Sequence, residues 1–268
     1  YRFAFKDCKN LTKVESSLDL NVCDIRAFYG CKKLDLSGSF KFNIEDQHYD
    51  IEDDRFVYKG SNSLVIDDKR DVPLFGKDGP DESDISQGAM GDCWLVGALA
   101  SISHCRQDVI KNMIKDNEDG TADVTLQREL MPGIFRKETY TVRKSVFGRR
   151  SCGTNLKMMS KSNETLWAQM VEKAYAAYLA RGNESIDYNA IKGGGSGEKI
   201  AFRTLLGKES NKDYDSKRLK GDRKELFQKI KRALDSGTPL WYGILKLTSG
   251  IKDTDGDKVW QCHAYSIM

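Results

Sequence analysis

Around residue 93 the chain changes from a polar, glycine-punctuated loop to an apolar run. Trp94, Leu95, Val96, Ala98, Leu99, Ala100 and Ile102 predict a buried helix that begins at Cys93, because Gly88 and Gly91 break regular structure just before it. A second helical pattern starts near Asn163, where Leu166, Trp167, Met170, Val171, Ala174, Tyr175 and Tyr178 recur every three to four residues. A third is predicted from Asp222 to Leu234, with Leu226, Phe227, Ile230, Ala233 and Leu234 on one side and Gly237 as the stop signal. Period-two alternation predicts strands elsewhere. Leu34, Leu36, Phe40, Phe42 and Ile44 form one such set, and Phe56–Tyr58 and Leu64–Ile66 flank a turn at 59–63. Thr121–Leu126 and Thr139–Val142 follow the strong turn signal Asp116–Gly120, and Leu240–Leu245 and Val259–Met268 close the chain. The mixture defines an α+β class.

The same pattern divides the chain into three parts: a β-rich extension over residues 1–70, a cysteine-bearing lobe over 71–197 and a histidine-bearing lobe over 198–268. Pro73 to Ser86 is a Gly/Pro/Asp-rich loop leading to the cysteine. Gly193, Gly194, Gly195 and Gly197 allow close backbone approach or a hinge, and equally suit a plain linker. The charge-rich run Ile44–Asp54, which contains His48, reads as a solvated face. Asp253–Asp257 reads as a hairpin turn, since its glycine comes too early for a calcium loop and no distal glutamate follows.

Composition narrows the function classes. With 43 basic and 40 acidic residues among 268, the net charge of +3 is too small and too evenly mixed to argue for a nucleic-acid or membrane partner. No apolar stretch reaches the length of a membrane span. The seven cysteines include no CxxC pair, which disfavours a zinc site or a dense disulfide framework, although one bridge among Cys8, Cys23 and Cys31 stays open. The compartment, cytoplasmic or secreted, and the oligomeric state stay open with it.

Cys93 is the residue on which chemistry would turn. At a helix start, unpaired amides and the positive end of the dipole favour thiolate, the form that attacks carbonyl carbon. Asp92 opposes that ionisation, so a cationic partner is needed. Of the three histidines, His104 lies eleven residues along the predicted helix, about 16 Å away at about 1.5 Å per residue, and is excluded. His263, in the apolar strand Val259–Ser266, is the base by elimination. Cys262 points to the opposite face of that strand. Gln87, six residues before the cysteine, is a candidate oxyanion donor.

Three ordered blocks carry a family resemblance: Gln87-Gly88-x-x-Gly91-Asp92-Cys93-Trp94, the run Leu166–Tyr175 with its Leu-Trp start, and His263-Ala264-Tyr265-Ser266. Together they resemble the calpain family of papain-like cysteine proteases over roughly residues 70–268, and the phrase Asp116–Gly120 is similar to bacterial members. The resemblance implies a two-lobed papain-like core with a helical cysteine lobe and a β-rich histidine lobe. It implies a cysteine endopeptidase acting on protein or peptide, with Cys93, His263 and Gln87 catalytic and Gly193, Gly194 and Trp94 on the substrate side. Two departures stand out. Cys262 takes the place of the usual glycine before the histidine, and the family's orienting Asn, within an Asn-Pro-Trp phrase, is not among residues 264–268. The last strands of the second lobe are also expected to be missing. The resemblance further implies a calcium site. Asp84 and Gly79 match its first acid and one backbone ligand, but Thr165 stands where the second acid belongs, with Glu164 one residue off register. No cofactor is therefore expected to be required, and calcium, though possible, is not expected to be obligatory. An inactive protein-binding module and an acyl-transfer enzyme are the alternative functions.

Overall fold

The computed structural model describes residues 5, 7–12, 31, 39–43, 49–52, 55–58, 64–88, 91–131, 134–149, 164–179, 191, 197–207, 223–244 and 263–268. Four short strands come first: β1 (Ser39–Asn43), β2 (Tyr49–Glu52), β3 (Arg55–Tyr58) and β4 (Leu64–Asp68). They are followed by α1 (Cys93–Cys105), α2 (Gln107–Met113), β5 (Ile114–Asp116), β6 (Thr121–Met131), β7 (Ile134–Arg143) and β8 (Ser145–Arg149). Three helices, α3 (Trp167–Leu179), α4 (Gly197–Leu206) and α5 (Arg223–Asp235), precede the strands β9 (Leu240–Ile244) and β10 (His263–Ile267). The fold is α+β. No helix among the described residues is long and apolar enough to cross a membrane.

The strands form three sheets, ordered β1-β7-β6-β5, β2-β3-β4-β8 and β10-β9. All pairs are antiparallel except β1 with β7. The β6–β7 hairpin shows why these residues are strands. On β6, Ala122, Val124 and Leu126 are fully buried and alternate with half-buried polar residues, so a pleated backbone places one set against the core. On β7 the inward set is Arg136, Glu138, Tyr140 and Val142. Glu138 has no exposure and receives hydrogen bonds from Arg128 Nε (2.7 Å), Tyr140 OH (2.7 Å) and Arg136. The Arg128 guanidinium lies 3.9 Å from the centre of the Tyr178 ring and donates to the Tyr178 carbonyl (3.0 Å), tying the hairpin to the end of α3.

The apolar core forms where α1 and α3 meet that sheet, with Leu95, Leu99, Ile102, Met170, Val171 and Ala174 all at zero exposure. Helix α3 was read as having one apolar face, yet every residue from Trp167 to Tyr178 is buried. Lys173 is held there by partners that reach it: its Nζ donates to Ser145 Oγ (2.7 Å) and to the Arg143 carbonyl (3.1 Å).

Several elements depart from the sequence reading. Residues 49–52, within the run taken as a solvated face, form a strand paired with β3. The first 70 residues do not pair only among themselves, since β1 lies beside β7 and β4 beside β8. Helix α4 lies beyond the expected lobe boundary at 197, yet packs on α1 and β6 of the cysteine-bearing part. Helix α3 begins at Trp167, not Asn163, because the Leu166 and Trp167 amides donate to the Leu74 carbonyl (3.2 and 3.0 Å) and the loop closes the helix end. Helix α5 stops as expected at Gly237, whose φ of +70° favours glycine, but Phe227 is 61% exposed and not on a covered face.

Candidate active site

Cys93 is the first residue of α1, a half-buried free thiol. Asp92 precedes it at the N-cap position, fully buried, its carbonyl accepting from Leu95 N (2.8 Å) and Val96 N (3.1 Å). The apolar side chains of the next two turns sink α1 into the core, which fixes the direction in which its first residue faces.

One stripe of α1 recurs every four residues: Cys93, Gly97, Ser101, Cys105. Its last three members all meet the β9–β10 hairpin or the residues leading into it. A Cβ on Gly97 would stand 3.6 Å from the Tyr265 carbonyl carbon and the Ser266 nitrogen, and 3.8 Å from the Ala264 carbonyl carbon. Ser101 Oγ accepts from Leu240 N at 2.7 Å. Cys105 Sγ lies 4.0 Å from the Thr238 carbonyl. Helix and hairpin thus run side by side in fixed register. One helical turn back from Gly97 is about 6 Å, which on a strand is about two residues. From Tyr265, two residues back is His263, which therefore stands level with Cys93.

His263 heads β10 opposite Ile244. Ala264, on the other face of the strand, is buried in the core, so His263 and Tyr265 share the outward face. The imidazole meets the Tyr265 ring edge-on, centroids 4.8 Å apart and planes at 80°. Partial burial holds the imidazole pKa below its ordinary value. Cys262 lies outside the described residues.

His104 sits at the far end of α1, where its Nδ1 is 3.0 Å from Glu82 Oε1. That contact orients the segment before the cysteine. From Glu82 the chain passes through a 3-10 turn, Glu82–Asp84, and three further steps to Gln87, roughly 14 Å at about 2 and 3.3 Å per residue. It must then reach Asp92 at the other end of α1. Gln87 is half-buried, two residues beyond the buried Ile85.

Trp94, expected on the substrate side, is buried. It is 5% exposed, its ring packs edge-on against Tyr175 at 5.5 Å, and its Nε1 donates to the Ile191 carbonyl at 3.1 Å. A large apolar residue one position past the helix start turns about 100° away from the cysteine's face and into the core. Gly193 and Gly194 lie outside the described residues, two and three positions after Ile191.

The residues matched to the calcium site are engaged otherwise. Asp84 Oδ2 accepts from Trp167 Nε1 (2.8 Å) and from Asp81 N (3.1 Å). Gly79, at φ +95°, is overlain by the Lys111 ammonium, which would stand 2.7 Å from a Cβ there. Thr165 is buried with its methyl towards Gly76, 3.6 Å from where a Cβ would stand. Among the described residues no three His, Cys, Asp or Glu side chains converge on a cation position. A hard cation needs six to eight oxygens, and these residues do not fit it.

Sequence reading missed the Gly97–Ser101 stripe. Its signal was present as small residues at four-residue spacing from the cysteine, on a helix otherwise filled with larger apolar side chains.

A thiol at a helix start level with a strand histidine is the arrangement of papain-like cysteine peptidases. A family model described as calpain family cysteine protease matches residues 47–268, and the chain belongs to that family. The match begins inside the segment that the sequence set apart as an extension. Relatives include calpain-8 of Homo sapiens, 28% identical over 202 residues, and the calpain-1 catalytic subunit of Mus musculus, 29% identical over 212. The calpain-2 catalytic subunit of Homo sapiens is 29% identical over 204 residues. Each match covers 73% of this chain and 26% of the relative, so the matched region is about a quarter of the length of these proteins.

Proposed function

We propose that this chain is the catalytic region of a calpain-type cysteine endopeptidase acting on protein or peptide substrates. The observation that supports the reading is the register of α1 against the β9–β10 pair, with Gly97 against the Tyr265 backbone and Ser101 Oγ accepting from Leu240 N, from which Cys93 and His263 are inferred to lie at one level. Cys93 Sγ attacks the carbonyl carbon of the scissile peptide while His263 takes the thiol proton. The negative charge then rests on the carbonyl oxygen, where the Cys93 amide and the Gln87 side chain donate to it. Collapse of this intermediate breaks the C–N bond, and His263 returns the proton to the leaving amine. Water then hydrolyses the thioester by the reverse order of proton transfers.

The other residues serve this centre at one remove. Trp94, through its hydrogen bond to Ile191, anchors the segment that leads to Gly193 and Gly194, which would lie along the extended substrate. The engagement of Asp84 by Trp167 supports assembly of the cysteine lobe without calcium.

Labelling with an epoxide thiol-protease inhibitor tests the reading. Cys93 should be alkylated rapidly, whereas burial and then the Glu82 carboxylate push the Cys105 thiol pKa up and keep it unreactive. Gln87→Ala should lower peptide turnover by about 100- to 1000-fold with little change in peptide binding. Equal labelling of Cys105 would overturn the assignment of the nucleophile, and unchanged turnover would remove Gln87.

A further inference from the structure

The outward face of the β9–β10 hairpin carries a run of three rings. Tyr265 is paired directly across the sheet with Tyr242, and the two rings stack at 5.3 Å with planes 20° apart. The His263 imidazole also meets Tyr265, edge-on with centroids 4.8 Å apart. Tyr242 is 43% exposed, so one face of its ring is given to Tyr265 and much of the remainder to solvent.

We propose that Tyr265, braced by Tyr242, is a positioning residue that fixes the orientation of the His263 imidazole. The inference rests on the Cys93–His263 reading above. A histidine at the first position of a strand turns about two side-chain bonds, and along β10 the next residue on its own face is Tyr265. An imidazole that must accept a proton from sulfur and return it to nitrogen works only in a narrow range of those two angles. The edge-on contact removes the rotamers that swing the ring along the strand. The stacked Tyr242 ring covers one face of Tyr265 and narrows the range over which Tyr265 can turn. The alternation His-Ala-Tyr achieves this at the least length of chain: Ala264 anchors the strand in the core, and the residues on either side of it share the opposite face.

Aromatic contacts of this geometry are worth enough to shift a local equilibrium by roughly 3- to 10-fold. In the 268-residue chain, Tyr265→Leu should therefore slow alkylation of Cys93 by chloroacetamide by about 3- to 10-fold at neutral pH. It should also abolish the ring-current displacement of the His263 ring-proton resonances, assigned by comparison with His263→Ala. Tyr265→Phe, which keeps the ring, should restore both. Tyr242→Ala, an exposed position, should shift both in the same direction by less, and guards against a Tyr265→Leu variant that fails to fold. Wild-type alkylation in a folded Tyr265→Leu variant, or in Tyr242→Ala when Tyr265→Leu does not fold, would overturn the positioning role. His263→Ala separates the two layers of the argument, since it should slow alkylation by about 100-fold. If it does not, the Cys93–His263 reading fails and the positioning role falls with it. If it does while Tyr265→Leu has no effect, only the positioning role fails.

Discussion

Gly97 and Tyr265 lie in backbone contact across α1 and β10. A Cβ on the glycine would stand 3.6 Å from the Tyr265 carbonyl carbon, an ordinary packing distance with no room beyond it. Gly97→Ala should therefore be accepted, and should stabilise by up to about 1 kcal/mol because alanine suits a helix interior better. Gly97→Leu pushes further atoms into the β10 backbone and should cost about 1–3 kcal/mol. It should also slow Cys93 alkylation by moving the hairpin out of register. Urea unfolding midpoints and alkylation rates of the two variants check this, and equal effects of alanine and leucine would contradict it.

The state of His263 has a definite sign with pH. Burial disfavours the charged imidazole, so in a Cys93→Ser background its ring protons should titrate below the ordinary histidine value of about 6.5. Between the folded and the ordinary value the unfolded chain binds more protons. This contribution to stability is therefore complete above the ordinary value and is lost as pH falls towards the folded one. The loss should vanish in His263→Gln, as measured by unfolding midpoints compared at neutral and mildly acidic pH.

Asp84 supplies a structural bond, so calcium should change little. Melting temperature and Cys93 reactivity should be the same in chelator and in millimolar calcium. A ligand present at 100 times its dissociation constant would add about 2.7 kcal/mol, which a melting curve detects easily. Trp167→Phe removes the indole donor to Asp84 and should cost about 2 kcal/mol. A large stabilisation by calcium, abolished by Asp84→Ala, would reverse this view of the loop.

Glu138 holds two guanidinium groups and a phenol in the core. Glu138→Ala leaves the Arg136 and Arg128 charges without their shared counterion and should destabilise by about 3–5 kcal/mol. Replacement of exposed Lys229, in its surface pair with Glu225, should stay within about 0.5 kcal/mol. Calorimetry of the two variants makes the contrast.

The elements that could be read from the sequence were those built by apolar residues alone. Helix α1, the Phe56–Tyr58 and Leu64–Ile66 pair, and the stop of α5 at Gly237 each follow from local patterning. Strand β7 was read over less than half its length, because its first inward residues, Arg136 and Glu138, are charged and mimic an exposed face until their partners are known. Helix α3 departs in another sense: the apolar spacing marked it as a helix, whereas Lys173, off that pattern, is also buried, by contacts from Ser145 and Arg143. At the site, Cys93 was marked by the glycines before it and the apolar run after it, and His263 by the exclusion of His104. Trp94 is buried against Tyr175, a placement set by a single residue step on the helix, and a motif does not carry that angle. The calcium match rests on a related omission. It counted residue types, whereas the acid oxygen at Asp84 is already engaged by Trp167.

Strand β1 joins β7 in parallel, about a hundred residues away along the chain. Such a pairing gains nothing until the β6–β7 hairpin exists, so it forms late, after local structure has closed the loop. The β6 side of β7 is occupied within the hairpin, while the other side of the strand would present a row of unsatisfied amides and carbonyls if β1 were gone. A chain trimmed at its beginning would keep the cysteine and the histidine, but would offer its neighbours a bare sheet margin, the template on which strands from separate molecules add. With β1 in place the margin of this sheet is a strand of only five residues, whereas its loss would leave the ten residues of β7 as the edge.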